Sequence, residues 1–167
     1  MAIAVLLSFC VASCAGNTQQ PASSLPTLPS QVPSSFDPCR AIPADILSSH
    51  HLDPRPVPTI SQMDSPTKYR GCWYYTFRDK LDDYGPDVRI EITNVTPEYF
   101  RKQNAPTHSI TMGAHSVVVS STYDPLCLAL IDVQGGGLQL SNQVRGKDGC
   151  AQLTDLAAAI VPLLPPA

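Results

Sequence analysis

Residues 87–93 read DVRIEIT. Apolar Val88, Ile90 and Ile92 alternate with charged Arg89 and Glu91. Successive side chains of a strand point to opposite faces of its sheet. The stretch therefore predicts a strand with Val88, Ile90 and Ile92 inward and Arg89 and Glu91 outward. A clean alternation of this kind belongs to an antiparallel sheet with one packed face and one wet face.

The neighbouring segments extend the pattern. CWYYTF at 72–77 is aromatic and suits a second strand. Period two puts Trp73, Tyr75 and Phe77 on one face, read as core, and turns Tyr74 to the other. RDKLDDYGP at 78–86 reads as a charged hairpin loop between the two strands. Three more strands are expected at 116–122, 127–133 and 138–144. Gln134-Gly135-Gly136-Gly137 makes the turn between the last two. This Gly run opens no helix, so it is no phosphate cradle.

Helix signals lie between and around the strands. Ile42–Leu47 reads as a short helix with Pro43 in its first turn and Asp45 near its positive end. Thr96-Pro97-Glu98 is a cap, a first-position Pro and a first-turn acid, starting a helix that runs to about Gln103. From about Cys150 to Val161, Leu153, Leu156, Ala157 and Ile160 form an apolar helical stripe, stopped by Pro162. Pro54, Pro56 and Pro58 mark a loop to about Arg70. The expected fold is α+β: an antiparallel sheet of about five strands with helices packed on one face.

The domain is expected over residues 36–167. Ahead of it, residues 15–35 carry no charge, and Pro recurs every few positions. Such a segment buries too little surface to offset its ordering entropy. It reads as a disordered tether, reaching up to roughly 60 Å if polyproline-like.

The chain opens on an apolar run, Ala2–Ala12, the length of a signal-peptide core and too short to span a bilayer. It ends in Val11-Ala12-Ser13-Cys14. That tetrapeptide resembles the bacterial lipobox: aliphatic, small, small, Cys. The resemblance implies a signal peptide at 1–13, removed at Cys14, and a diacylglyceryl group on the Cys14 sulfur. Two acyl chains anchor stably where one does not. The mature protein is then expected on the extracytoplasmic face of the cell membrane, with residues 14–35 as lipidated Cys and tether. The first basic residue is Arg40, so the positive n-region of a signal is expected from a start upstream of Met1.

Removing Cys10 with the signal and Cys14 to lipid leaves Cys39, Cys72, Cys127 and Cys150. Four isolated Cys in an exported domain predict two disulfides, with three pairings open. Close C-x-x-C pairs, the mark of a zinc site, do not occur.

The order of FDPC (36–39), a helix, CW (72–73), a Cys-containing strand, DGC (148–150) and a helix ending in PLLPP resembles a family of actinobacterial cell-envelope lipoproteins of unknown function, the mycobacterial LprB/LprC type. The resemblance covers the chain from Phe36 onward. It favours the pairing Cys39–Cys72 and Cys127–Cys150. It implies an anchored, disulfide-bonded envelope protein and carries no catalytic residues.

Chemistry is sparse. G-x-S-x-G, H-E-x-x-H and P-loop motifs are absent from the sequence. His50 and His51 sit at a helix end, and His108 and His115 are read as surface residues. A net charge of −3 with no basic stripe leaves nucleic acid without an electrostatic footprint. No cofactor or metal is expected. Tyr74, with Asp82, Asp83 and Tyr84 of the charged loop, is the candidate ligand surface. The expected function is a non-catalytic envelope-binding or structural role toward an envelope lipid, glycan or membrane protein. The rivals are an envelope hydrolase and a sensor or accessory domain for a membrane protein partner. Asn94-Val95-Thr96 matches a glycosylation sequon, which the following Pro97 and the lipobox discount.

Overall fold

The computed structural model describes residues 24–60, 65–76, 88–104, 107–123, 126–142 and 149–167. The fold is α+β, built on one seven-stranded antiparallel sheet in the order β1-β2-β3-β7-β6-β5-β4. In chain order the elements are helices α1 (Pro38–Ala41) and α2 (Ala44–Ser49), then strands β1 (Val57–Ile60), β2 (Tyr69–Tyr74) and β3 (Val88–Thr93). Helix α3 (Pro97–Gln103), strands β4 (Thr107–Met112), β5 (His115–Tyr123), β6 (Leu126–Val133) and β7 (Gly136–Asn142), and helix α4 (Gly149–Ile160) follow. A single 3-10 turn, Val161–Leu163, closes the regular structure.

The five expected strands are present, and two more lie outside them. β1 and β4 are the two edges of the sheet. Pro58 sits in β1 opposite Cys72, a position an edge strand tolerates because Pro has no N–H to give the ladder. β4, THSITM, has no buried residue and so shows no core pattern. The topology is two antiparallel meanders joined by α3. After β3 the chain crosses to the far edge and returns through β4, β5 and β6, setting β7 beside β3.

That crossing places helices on both faces, correcting the one-face expectation. α1, α2 and α4 cover the main core. There Cys72, Ile90, Leu140, Ala129 and Val119 form one row across five strands, all 0–1% exposed. Leu153, Leu156, Ala157 and Ile160 of α4 are all buried against it, as the stripe predicts. On the opposite face α3 buries Phe100 against Val118 and Leu130. Thr96 Oγ1 accepts from the Tyr99 N–H at 3.3 Å and Pro97 opens the helix, so its capping signal is read correctly.

Two disulfides tie helices to the sheet. Cys39 of α1 bonds Cys72 of β2, and Cys127 of β6 bonds Cys150 of α4. The loops they close span 33 and 23 residues, so each contributes roughly 3–4 kcal/mol by chain entropy. Buried Asn142 reinforces the second staple: its Oδ1 accepts from the Cys127 N–H at 3.3 Å and its Nδ2 donates to Gly149 O at 2.6 Å.

Residues 24–35 lie along the domain without regular structure. Side-chain donors hold their carbonyls: Lys102 Nζ to Ser24, Asn94 Nδ2 to Pro29, Lys68 Nζ to Ser30 and Arg70 Nη2 to Pro33. A Pro-rich chain has few N–H groups, so its carbonyls are what a surface can grip. The strap runs from α3 toward the main core, where Val32 packs and Phe36 is buried. No described helix is long and apolar enough to cross a membrane.

Candidate functional site

The α3 side of the sheet carries the unusual chemistry. β2, β3 and β7 present Tyr69, Glu91 and Gln139 to it. Glu91 pairs in register with Gly71 on one side and Gln139 on the other. Its side chain crosses over Gly71 to accept a hydrogen bond from Thr59 Oγ1 at 2.7 Å. A Cβ on Gly71 would stand 2.1 Å from Ile90 O and 2.9 Å from Glu91 Cγ, so only Gly fits there. Arg89 lies 3.7 Å from the Glu91 carboxylate and stacks its guanidinium 3.8 Å from the Trp73 ring centre. Arg89 Nε is buried and makes no hydrogen bond. Glu91 is only 4% exposed, and burial pushes its carboxyl above the usual range, with Thr59 and Arg89 opposing.

Beside this network, between α3 and the sheet, is a cleft of about 300 Å³. Val95 and Phe100 form its buried base. Tyr69, Tyr99 and Thr67 bring hydroxyls to it, and Gln103, Asn104 and Gln139 bring amides. Burial raises the Tyr69 phenol, and a hydrogen bond with Thr67 opposes the shift. Asn104 caps α3, donating from Nδ2 to Phe100 O at 3.1 Å, which fixes one amide at the rim.

Asn94 ties the site to the strap. It is 1% exposed. Its Oδ1 accepts from the Lys68 N–H at 2.8 Å, and its Nδ2 donates to Pro29 O at 2.6 Å and Pro66 O at 3.0 Å.

The residues singled out from the sequence fall differently. Tyr74 is 1% exposed in the main core, and its hydroxyl donates to Pro38 O at 2.7 Å. Desolvation, then the Asp37 charge, pushes its phenol up to about 12. The inward and outward faces of β2 are thus the reverse of the expectation: Tyr74 is core, and Trp73 lies on the α3 side. The physical reason is the Cys39–Cys72 bond, which turns Cys72, and with it Tyr74, toward α1. Asp82, Asp83, Tyr84 and Cys14 lie outside the described residues. His50 and His51 close α2, and His51 takes a positive φ of 61°. His108 is exposed on β4. His115, expected at the surface, is buried, with Nδ1 2.7 Å from Asp132 O and 3.4 Å from Asp132 Oδ1. Ser116 meets Asp132 through its backbone N–H. Among the described residues no three His, Cys, Asp or Glu side chains are grouped to hold a metal.

The residues missed from sequence are Glu91 as a buried acid, Tyr69, Tyr99, Gln139 and Asn94. One signal existed for Glu91: a Gly inside a strand marks a close approach, and Gly71 is approached by Glu91 itself. A comparison with protein families, characterised proteins and solved structures finds no match.

Proposed function

We propose that the chain is a lipoprotein held by Cys14 on the extracytoplasmic face of the cell membrane, with a non-catalytic envelope-binding or structural role. One observation carries the reading: a lipobox-like VASC ends a signal-like apolar run, and all four cysteines of the domain behind it are paired in disulfides. Such bonds persist in oxidising compartments and are rare in the cytosol. The resemblance to actinobacterial envelope lipoproteins supports the same compartment. The cleft on the α3 side supports binding, because it offers hydroxyl and amide groups over an apolar base of Val95 and Phe100, and none of the four histidines lines it.

The test is cell fractionation of the wild-type chain and of Cys14→Ser. The wild type is expected in the membrane fraction, and Cys14→Ser is expected uncleaved and without lipid. Equal lipid content and processing in both would remove Cys14 from the account.

A further inference from the structure

We infer that the cleft between α3 and the sheet binds a neutral saccharide, an inference that rests on the envelope-binding reading above. At about 300 Å³ it lies at the small end of ligand sites, room for one or two sugar rings. The lining decides the class. Among the described residues no charged side chain lines it, so within that lining a phosphate or carboxylate meets no cation and an ammonium group meets no anion. A hydrocarbon tail would take water from the Tyr69, Tyr99 and Thr67 hydroxyls and the Gln103 and Gln139 amides and return no hydrogen bond.

A sugar returns what the cleft offers. Each of its hydroxyls both donates and accepts, matching amides that carry two donors and an acceptor. Its C–H faces suit the apolar rings of Tyr69 and Tyr99. The two tyrosines come from different elements, β2 and α3, so the docking of α3 by Phe100 sets their spacing. Asn104 is held at the rim by its bond to Phe100 O, so part of the polar lining is fixed in advance.

The experiment uses the full chain in phosphatidylcholine nanodiscs, which avoids sugar-headed detergents. Calorimetric titration is run with neutral oligosaccharides of glucose, galactose, mannose and arabinose, and with an oligogalacturonate. A second set of nanodiscs contains a galactosyl diacylglycerol, to separate a glycolipid headgroup from a free glycan. The expected result is binding of at least one neutral sugar, with the acidic one weaker by about tenfold or more. Losing one or two neutral hydrogen bonds corresponds to about a tenfold change. Tyr99→Ala and Gln139→Ala should each weaken binding by that factor. Arg55→Ala, on the exposed surface beside Asp53, should leave it unchanged. Should Tyr99→Ala not fold, Gln103→Ala at the exposed end of α3 replaces it, with thermal melts to show folding. Binding of none of the neutral sugars, stronger binding of the acidic one, or binding indifferent to the cleft variants would overturn the inference. The same preparation separates the two readings. A lipidated chain that binds no sugar ends the inference alone, and an unlipidated chain that binds sugar ends the anchor reading alone.

Discussion

Glu91 is the residue on which the α3 side turns. It is a carboxylate at 4% exposure, held by Thr59 Oγ1 and facing Arg89. Burial raises its pKa, so the folded protein keeps a proton that the unfolded chain releases. The stability tied to that proton is fully present below the unfolded value and is lost as pH rises through the raised folded value. Glu91→Gln keeps the shape and removes the titration. Urea midpoints measured against pH should therefore fall, from the ordinary glutamate range upward, more for wild type than for Glu91→Gln; parallel curves would mean that Glu91 is solvated. Gly71 is coupled to it. Gly71→Ala puts a methyl 2.1 Å from Ile90 O and should cost about 1–3 kcal/mol or more by overpacking, seen as a lower urea midpoint. DVRIEIT made the strand and its inward face legible. It did not show that the other face is also covered, because alternation reports polarity, and a buried Glu is polar.

At the scale of elements, what was legible followed burial. Strands β2, β3, β5, β6 and β7 carry the core rows and announce themselves by apolar content. β1 and β4 do not, since an edge strand shares the ladder on one side only and needs no apolar face. Pro58 in β1 and the polar run of β4 blunt those edges, and the same features hide them from a pattern reading. α3 was legible through its cap, but its face was not: only the crossing from β3 to β4 sets it opposite α4. Phe100 is its anchor, 1% exposed against Val118 and Leu130. Phe100→Ala should cost about 3–5 kcal/mol and loosen the cleft with it, measured by denaturant unfolding together with hydrogen exchange across α3. An effect below 1 kcal/mol would mean that α3 is not packed as described. On the main face, replacing Cys127 and Cys150 together by Ser should cost roughly 3–4 kcal/mol, read from the same unfolding curves.

At the scale of the whole molecule, the strap sets how far the domain can stand from the anchor proposed at Cys14. Read as a free tether, residues 14–35 would let the domain range roughly 60 Å. With residues from Ser24 onward held along the surface, nine residues, 15–23, separate Cys14 from the docked chain, a span of at most about 36 Å fully extended. Composition made the Pro-rich segment legible as non-helical and non-sheet; its docking depends on Lys68, Arg70, Asn94 and Lys102, donors that sequence distance conceals. Asn94→Ala removes three hydrogen bonds that join the end of β3 to the segment leading into β2 and to the strap. It should destabilise the protein by about 1–3 kcal/mol, because the Lys68 N–H loses its acceptor. A melting temperature equal to wild type would show that the strap is not held. The central claim is an anchored, disulfide-closed envelope module, and intact mass of the membrane-fraction protein tests it most directly, with and without reduction before alkylation. The account predicts an N-terminus at Cys14 carrying a diacylglyceryl mass, with four thiols that alkylate only after reduction. A chain that keeps Met1, carries no lipid or alkylates without reduction would contradict it.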